Sequence, residues 1–228
     1  MRKEIYVTLA IFLFCGSLHG QPNTIIVPGG TKIIEKFPPE VRYLYPQFVE
    51  GEIILRNGLF SSALLNYNML RDEIEFIQDS DTLIIARKEN LRYVIIENDT
   101  FSYMRGYARL IFDQTLRVYS RDRFYLKEIL RRGAMGMVNR TAAIGSYSDF
   151  ESGGVPYFLV VPDDLVYRRE VAYFIATSRG TLEPFKRRNI LRLFRNQRSE
   201  ILKYIKTNNV NFDAHEDIIK FAEFLSKL

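Results

Sequence analysis

The amino-acid sequence predicts an α+β protein in which a mainly antiparallel β meander, forming a curved sheet or partial barrel, precedes a C-terminal pair of helices. Three observations favour this class. Short apolar segments recur between turns from about residue 48, and some alternate apolar and polar side chains, as in "DEIEFIQ" at 72–78. Asn57-Gly58 separates two such segments, which is a strong signal for a hairpin with a type I′ turn. After about residue 185 the apolar spacing becomes helical.

Residues 1–20 are expected to form a secretory signal peptide. Arg2 and Lys3 give a basic start, an apolar stretch covers residues 5–15, and small residues follow before Gln21. The apolar stretch is shorter than the roughly 20 residues that cross a bilayer. We therefore expect an exported protein, located in the periplasm or at the periphery of the outer membrane, with no transmembrane span after cleavage near Gln21.

Residues 21–47 and 48–184 are expected to form an extended N-terminal arm and the antiparallel β domain. The arm carries few periodic signals and is interrupted by proline and glycine. Within the β domain, "TLIIAR" at 82–87 and "RYVIIE" at 92–97 are nearly continuous in apolar character, which predicts central strands covered on both faces. The stretch at 145–156 is rich in Ser, Gly and Asp, and we expect a loop there.

Residues 185–228 are expected to form helices that pack on the β domain. Apolar residues follow helical spacing through "NILRLFRNQRSEILKYIKTNN", where a break near Arg195-Asn196 is compatible with the pattern. In the final helix, Ile218, Ile219, Ala222 and Leu225 form the expected buried stripe. Helices this short are marginal alone, so they must pack on each other or on the sheet.

The order of these segments carries a resemblance to a known group of proteins. Its most recognisable parts are "LLNYNML" at 64–70, "DEIEFI" at 72–77, "EILKYIK" at 200–206 and "EDIIKFAEFL" at 216–225. Over most of the mature chain, this order resembles a family of uncharacterised exported proteins of Bacteroidota. The resemblance implies a periplasmic or outer-membrane setting, and it places no catalytic residue in this chain.

Histidine and cysteine usage argues against most catalytic chemistry. The sequence has two histidines and one cysteine, and His19 and Cys15 would leave with the signal peptide. His215 would then be the one histidine left, which is too few for a zinc site. Nucleophilic triads need a histidine held in a cleft, and an exposed position at the start of a terminal helix does not fit one. No nucleotide-binding glycine motif is present. We expect no enzyme activity, no metal and no cofactor.

Carboxylate chemistry needs neither histidine nor cysteine, so a carboxylate-based hydrolase is kept as an alternative. Asp163-Asp164 is an adjacent acidic pair at the end of a predicted strand, but neighbouring side chains in a strand or turn point in different directions. Glu73 and Glu75 share one face of a strand, and we expect that face to be solvated.

Two surface features could mediate binding. The first is a basic run, with a solvated helix face as the ordinary alternative; its candidate contact residues are Lys186, Arg187, Arg188, Arg192, Arg195 and Arg198. Such a run could meet anionic lipid, lipopolysaccharide or an envelope protein partner, whereas nucleic acid is not expected outside the cytoplasm. The second is Thr82, because Asp81-Thr82-Leu83 resembles the short O-glycosylation acceptor of exported Bacteroidota proteins.

Three function classes remain open at this point. The first is an exported, non-enzymatic binding or scaffold protein of the bacterial cell envelope, such as an accessory subunit of an outer-membrane assembly. The second is a small-molecule or lipid carrier with an apolar cavity in the β meander. The third is the carboxylate-based hydrolase. A flat exposed patch, an apolar cavity or a cleft of converging carboxylates would distinguish them.

Overall fold

The computed structural model describes residues 23–132, 138–142, 160–177 and 180–228. Within these ranges, twelve strands form one antiparallel sheet. The predicted signal peptide at 1–20 and the predicted loop at 145–156 lie outside the described residues. The strands are β1 (Thr24–Val27), β2 (Val49–Leu55), β3 (Phe60–Asn68), β4 (Glu73–Gln78), β5 (Asp81–Ile84), β6 (Leu91–Ile96), β7 (Asp99–Tyr103), β8 (Tyr107–Asp113), β9 (Arg117–Arg132), β10 (Val138–Ala142), β11 (Asp164–Ala176) and β12 (Leu182–Pro184).

The strand order confirms the antiparallel meander and shows an open, curved sheet. The order is β1-β11-β9-β8-β7-β6-β2-β3-β4-β5, with β10 also pairing with β9 and β12 with β11. The long strands β9 and β11 pair from Val118–Ile175 to Leu130–Asp164. The start of β9 also pairs with β8, and its end pairs with β10. The start of β9 therefore lies between β8 and β11, and its end lies between β10 and β11.

The helices lie at the two ends of the described chain. Near the N-terminus are a 3-10 turn (Ile33–Lys36) and α1 (Pro39–Arg42), and a second 3-10 turn (Lys88–Asn90) precedes β6. The C-terminal helices are α2 (Arg187–Leu193), α3 (Arg198–Asn208) and α4 (His215–Leu225). The long helical pattern of the sequence is divided at Phe194, whose backbone leaves the helical region before a 3-10 turn at Arg195–Gln197.

Two apolar clusters join the sheet to the segments that cover it, one at the N-terminal segment and one at the C-terminal helices. The N-terminal segment covers the first, where the Phe37 ring packs edge-on against Phe124 and Tyr167, with centroids 5.0 and 5.2 Å away. The C-terminal helices cover the second, in which Ile190, Ile201, Ile218, Phe221 and Leu225 meet Phe112, Val118, Tyr173 and Ile175. Burial of these side chains is the main favourable term for docking the helices on the sheet.

The hairpin at Asn57-Gly58 is present, but its turn is not type I′. Only Gly58 has a positive φ, of 86°. The Gly58 N–H donates to the Leu55 carbonyl at 3.0 Å, and the Leu55 N–H donates to the Leu59 carbonyl at 2.8 Å. This pattern is a three-residue loop that ends on a left-handed glycine. The asparagine-glycine pair therefore predicted the position of the hairpin correctly, but the predicted turn type is wrong.

The expectation that "TLIIAR" forms a central strand covered on both faces is wrong. β5 takes the last position in the sheet, and all four of its residues are exposed. The chain leaves the sheet after Ile84, so Ile85 is buried outside the strand. β6, which contains most of "RYVIIE", does lie inside the sheet between β7 and β2, but Arg92 on it is exposed. Apolar content alone could not assign a position in the strand order.

The expectation that Glu73 and Glu75 lie on a solvated face is also wrong. Glu75 is 2% exposed, and its carboxylate accepts hydrogen bonds from Tyr43 Oη at 2.6 Å and Asn68 Nδ2 at 3.0 Å. Glu73 pairs with Lys88. The N-terminal segment covers this part of the β3–β4 face, because Tyr43 forms a bridge with Asn68. The buried carboxylate is tolerated because donors surround it.

Asp72 connects two separated parts of the sheet, the turn after β3 and the neighbouring strands β8 and β9. It follows β3 in a turn with φ of 52°, and its Oδ1 accepts from Tyr67 Oη at 2.8 Å and from the Tyr107 N–H at 3.2 Å. Its Oδ2 accepts from Arg123 of β9 at 3.0 Å. Gly106 beside Asp72 has a φ of 124°, which side chains rarely allow, and an added Cβ would also lie 2.6 Å from Asp72 Oδ2. Asp72 therefore fixes the curvature that brings β3, β8 and β9 together.

We predict that Asp72→Asn lowers the free energy of unfolding by about 2–4 kcal/mol, since it removes the charge that Arg123 faces while keeping a side chain that tolerates the turn. Chemical denaturation would measure this. Asp113→Asn is the control, because its ion pair with Arg117 is largely exposed and should be worth no more than about 1 kcal/mol. Equal effects of the two substitutions would contradict the role assigned to Asp72.

Candidate functional site

The basic run predicted from the sequence forms one exposed surface around α2 and the start of α3. Phe185, Ile190 and Leu191 are buried and anchor the segment to the sheet. The charged residues between and after them are consequently turned to solvent. Lys186, Arg187, Arg188, Arg192, Arg195 and Arg198, all exposed, are named the basic surface below.

Two residues of the basic surface are engaged and four are not. Lys186 Nζ lies 2.6 Å from Asp213 Oδ1, and Arg192 pairs with Glu183. Among the described residues, no hydrogen bond or ion pair holds the remaining guanidinium groups, which belong to Arg187, Arg188, Arg195 and Arg198. The first pair ties the start of α2 to the turn before α4. The four remaining groups are available to an external anion.

The segment that carries the basic surface is strongly biased in charge, and the two acidic residues that pair with it, Glu183 and Asp213, lie outside that segment. Between residues 186 and 206 the sequence has eight lysines and arginines against one acidic residue, Glu200. Lys203 and Lys206 are exposed and extend the positive charge along α3. Leu193, 37% exposed, adds an apolar side chain next to Arg192. An ordinary solvated helix face mixes both signs, so this imbalance favours binding of an anionic surface.

Guanidinium groups suit phosphate and carboxylate ligands, because their planar N–H donors can form two parallel hydrogen bonds to one anion. Basic residues close to an anionic membrane surface each contribute about 1 kcal/mol, and the attraction falls off within a Debye length. The basic surface is exposed and lies on and around helices, so it can meet an extended anionic surface.

Thr82 is exposed on the edge strand β5. Its position is compatible with modification, and O-glycosylation of Thr82 stays a prediction.

The acidic pair Asp163-Asp164 lines an open cleft of about 310 Å³ near the start of β11. Asp164 Oδ1 accepts from the Gly29 N–H at 2.7 Å, and Asp163 Oδ2 lies 3.5 Å from Arg131 Nε. Each carboxylate therefore has a different neighbour, and nothing in this geometry aims both at one reacting atom. The hydrolase hypothesis gains no support from the pair.

A second cavity, of about 10 Å³, lies under the curve of the sheet. Its lining is largely polar or aromatic and consists of Leu44, Tyr67, Phe101, Tyr107, Arg109, Ser120, Arg121 and Asp122. A volume of this size holds about one water molecule. Neither this cavity nor the open cleft has the apolar lining and size that a lipid carrier would need.

The described residues show neither a cluster of metal ligands nor a membrane-spanning helix. In the ranges that the structure describes, no three His, Cys, Asp or Glu side chains converge as metal ligands. His215 is exposed, with its ring 6.1 Å from that of Tyr173. Across those ranges, none of the helices combines the length and the apolar character that crossing a membrane requires.

Buried tyrosine–carboxylate pairs are a feature that the sequence analysis missed. Tyr43 donates to Glu75 and Tyr45 donates to Asp99, each at 2.6 Å. Burial, together with the hydrogen bond to Glu75, raises the pKa of Tyr43 to about 12. Burial also raises the pKa of Tyr45, which Asp99 reinforces. The high tyrosine content was visible in the sequence, but the pairing depends on contacts between distant segments.

Comparison of the chain with protein-family models, with curated proteins and with solved structures finds no match. The resemblance to exported proteins of Bacteroidota therefore stays a prediction.

We predict a loss of stability at alkaline pH that depends on Tyr43. Because the folded-state pKa of about 12 lies above the unfolded value of 10, Tyr43 contributes stability in full below pH 10 and loses it as the pH rises towards 12. The slope from one such group approaches about 1.4 kcal/mol per pH unit. Unfolding titrations of the unmodified protein and of Tyr43→Phe would measure it. A slope in this range that Tyr43→Phe leaves unchanged would contradict the assignment.

Proposed function

We propose that the chain is an exported, non-enzymatic binding protein of the bacterial cell envelope that attaches to anionic phosphate groups of lipid or lipopolysaccharide through its basic surface. The observation that carries this proposal is the set of four exposed guanidinium groups without a partner in the described chain, at Arg187, Arg188, Arg195 and Arg198. An exposed face with this charge bias suits an extended anionic surface better than a small substrate.

The cellular setting of the proposal rests on the sequence. The basic start and apolar stretch within residues 1–20 support export, and phosphate-rich lipid is the abundant anionic surface that an exported bacterial protein meets. An acidic envelope protein is the rival partner. It would bind through the same residues, so the experiment below must distinguish the two.

The basic surface is fixed to the body of the protein rather than carried on a free tail. Ile190 and Ile201 are fully buried beneath it, and the Lys186–Asp213 pair connects α2 to the segment before α4. Because these anchors fix the backbone of the segment, only the arginine side chains have to be ordered on binding. This arrangement supports the proposed accessory-subunit role, in which the basic surface faces the membrane and the rest of the protein is left for a partner.

We predict that the purified protein co-sediments with vesicles containing anionic phospholipid or lipopolysaccharide and not with neutral phosphatidylcholine vesicles. The triple variant Arg188→Gln, Arg195→Gln, Arg198→Gln should bind anionic vesicles about 100-fold more weakly, since each residue contributes about 1 kcal/mol. Binding of the unmodified protein should also weaken as salt is added.

A second triple variant with the same loss of charge is the matched control. Lys36→Gln, Arg105→Gln and Arg168→Gln remove three exposed cations elsewhere on the surface. This control should retain most of the vesicle binding. If both triple variants lost the same vesicle binding, net charge and not the basic surface would explain the binding, which would contradict the proposal. If the unmodified protein did not bind anionic vesicles, the proposal would be overturned in favour of a protein partner.

A further inference from the structure

The tip of the hairpin between β2 and β3 carries a chemically reactive pair of residues that the proposed function does not use. Asn57 is followed by Gly58, and no other asparagine in the sequence is followed by glycine. Both residues are exposed, and so are Leu59 and Phe60 after them. A Cβ built on Gly58 would have no heavy atom within 4 Å. Solvent therefore reaches the Asn57 side-chain amide and the Gly58 backbone.

The side-chain amide of Asn57 is held along the peptide that follows it. Its Oδ1 accepts a hydrogen bond from the Leu59 N–H at 3.1 Å. This bond turns the side chain towards Gly58, whose nitrogen is separated from Asn57 Cγ only by the C, Cα and Cβ of Asn57. A bond between Cγ and that nitrogen would close a five-membered ring. The Leu59 N–H would stabilise the negative charge that develops on Oδ1 during the attack.

We propose that Asn57 is a site of spontaneous deamidation through a cyclic imide. The Gly58 N–H loses its proton to water or hydroxide, and the nitrogen attacks Cγ of Asn57. The Cγ–Nδ2 bond then breaks, and the leaving nitrogen takes up a proton and departs as ammonia. Water adds to either carbonyl of the imide and opens the ring, which gives aspartate or isoaspartate at position 57. The net reaction consumes one water and releases one ammonia, with no oxidation or reduction.

The absence of a side chain at Gly58 favours this attack. Any other residue would place a Cβ beside the attacking nitrogen and restrict the backbone. The turn uses the same freedom, because Gly58 has a φ of 86°. Asn98 provides an internal comparison, since it is also exposed and lies in the turn between β6 and β7, but Asp99 follows it. Asn98 should therefore convert more slowly than Asn57.

One hydrogen bond of the turn opposes the reaction. The Gly58 N–H donates to the Leu55 carbonyl at 3.0 Å, so this bond must open before the proton can leave. Leu59 and Phe60 are 63% and 72% exposed, so little packing is lost when the tip of the hairpin opens. The reaction should therefore proceed in the folded protein, without unfolding of the sheet.

The product differs from the original hairpin in charge and in backbone length. Either acid adds one negative charge beside the exposed Arg56. Isoaspartate also lengthens the backbone of the loop by one methylene, which disturbs the hydrogen bonds that Leu55 makes with Gly58 and Leu59. The site is separate from the basic surface, so this inference does not rest on the proposed function.

Ageing of the purified protein at mildly alkaline pH, followed by peptide mapping with mass spectrometry, tests the proposal. We expect the peptide that contains residue 57 to convert to a mixture of aspartate and isoaspartate, and the peptide that contains Asn98 to convert severalfold more slowly. Isoaspartate is the informative product, because direct hydrolysis of the side chain gives aspartate only. No conversion at residue 57, conversion to aspartate alone, or equal conversion at both residues would overturn the proposal.

A substitution of the attacking residue separates its role from the exposure of the turn. Gly58→Asp keeps a residue that tolerates a positive φ, and it gives Asn57 the same following residue as Asn98. We expect conversion at residue 57 to slow severalfold in this variant, with conversion at Asn98 unchanged. An unchanged rate at residue 57 would contradict attack by the Gly58 nitrogen.

Discussion

The carboxylate of Asp72 joins the turn after β3 to β8 and β9, which are separated from β3 in the sheet by β2, β6 and β7. It accepts hydrogen bonds from the Tyr67 side chain of β3, the Tyr107 backbone of β8 and the Arg123 side chain of β9. The adjacent Phe124 N–H donates to the Met69 carbonyl at 3.0 Å, which adds a backbone contact between β9 and the same turn. A flat meander would leave these segments separated. The curvature of the sheet, and with it the first apolar cluster, depends on this convergence.

The curved sheet has two buried apolar regions, and a different segment of the chain packs on each of them. The N-terminal segment covers the region that contains Phe37 and Phe124, and the C-terminal helices cover the region that contains Val118 and Phe221. Both segments pack their apolar residues against the sheet. The charged residues of α2 and α3 consequently face solvent, and the packing beneath them keeps the basic surface in a fixed arrangement. The proposed binding role therefore follows from the same packing that stabilises the fold.

Local patterns predicted the antiparallel strands and the helical tail. They did not predict which elements pack against each other in the folded chain. Alternation in "DEIEFIQ" assigned β4 correctly, yet it placed Glu75 in solvent, because the cover that Tyr43 supplies comes from a segment without periodicity. Apolar content made β5 a central strand, although strand order is set by long-range pairing. The expected stripe of the last helix omitted Phe221, which is fully buried. The basic surface was recognised because the apolar positions of a helix turn the charged residues between them to solvent, whereas the structure was needed to show which arginines have no partner among the described residues.

A photo-crosslinking amino acid at position 193, in living cells of the native host, would test the central claim most directly. Leu193 is exposed beside Arg192, so its replacement leaves every positive charge in place, and Val171 on β11 offers an equally exposed control position, with 37% and 41% exposure. We expect position 193 to crosslink to phospholipid or lipopolysaccharide, and position 171 to do so far less. Equal lipid crosslinking at both positions, or crosslinks from position 193 to protein alone, would contradict the account.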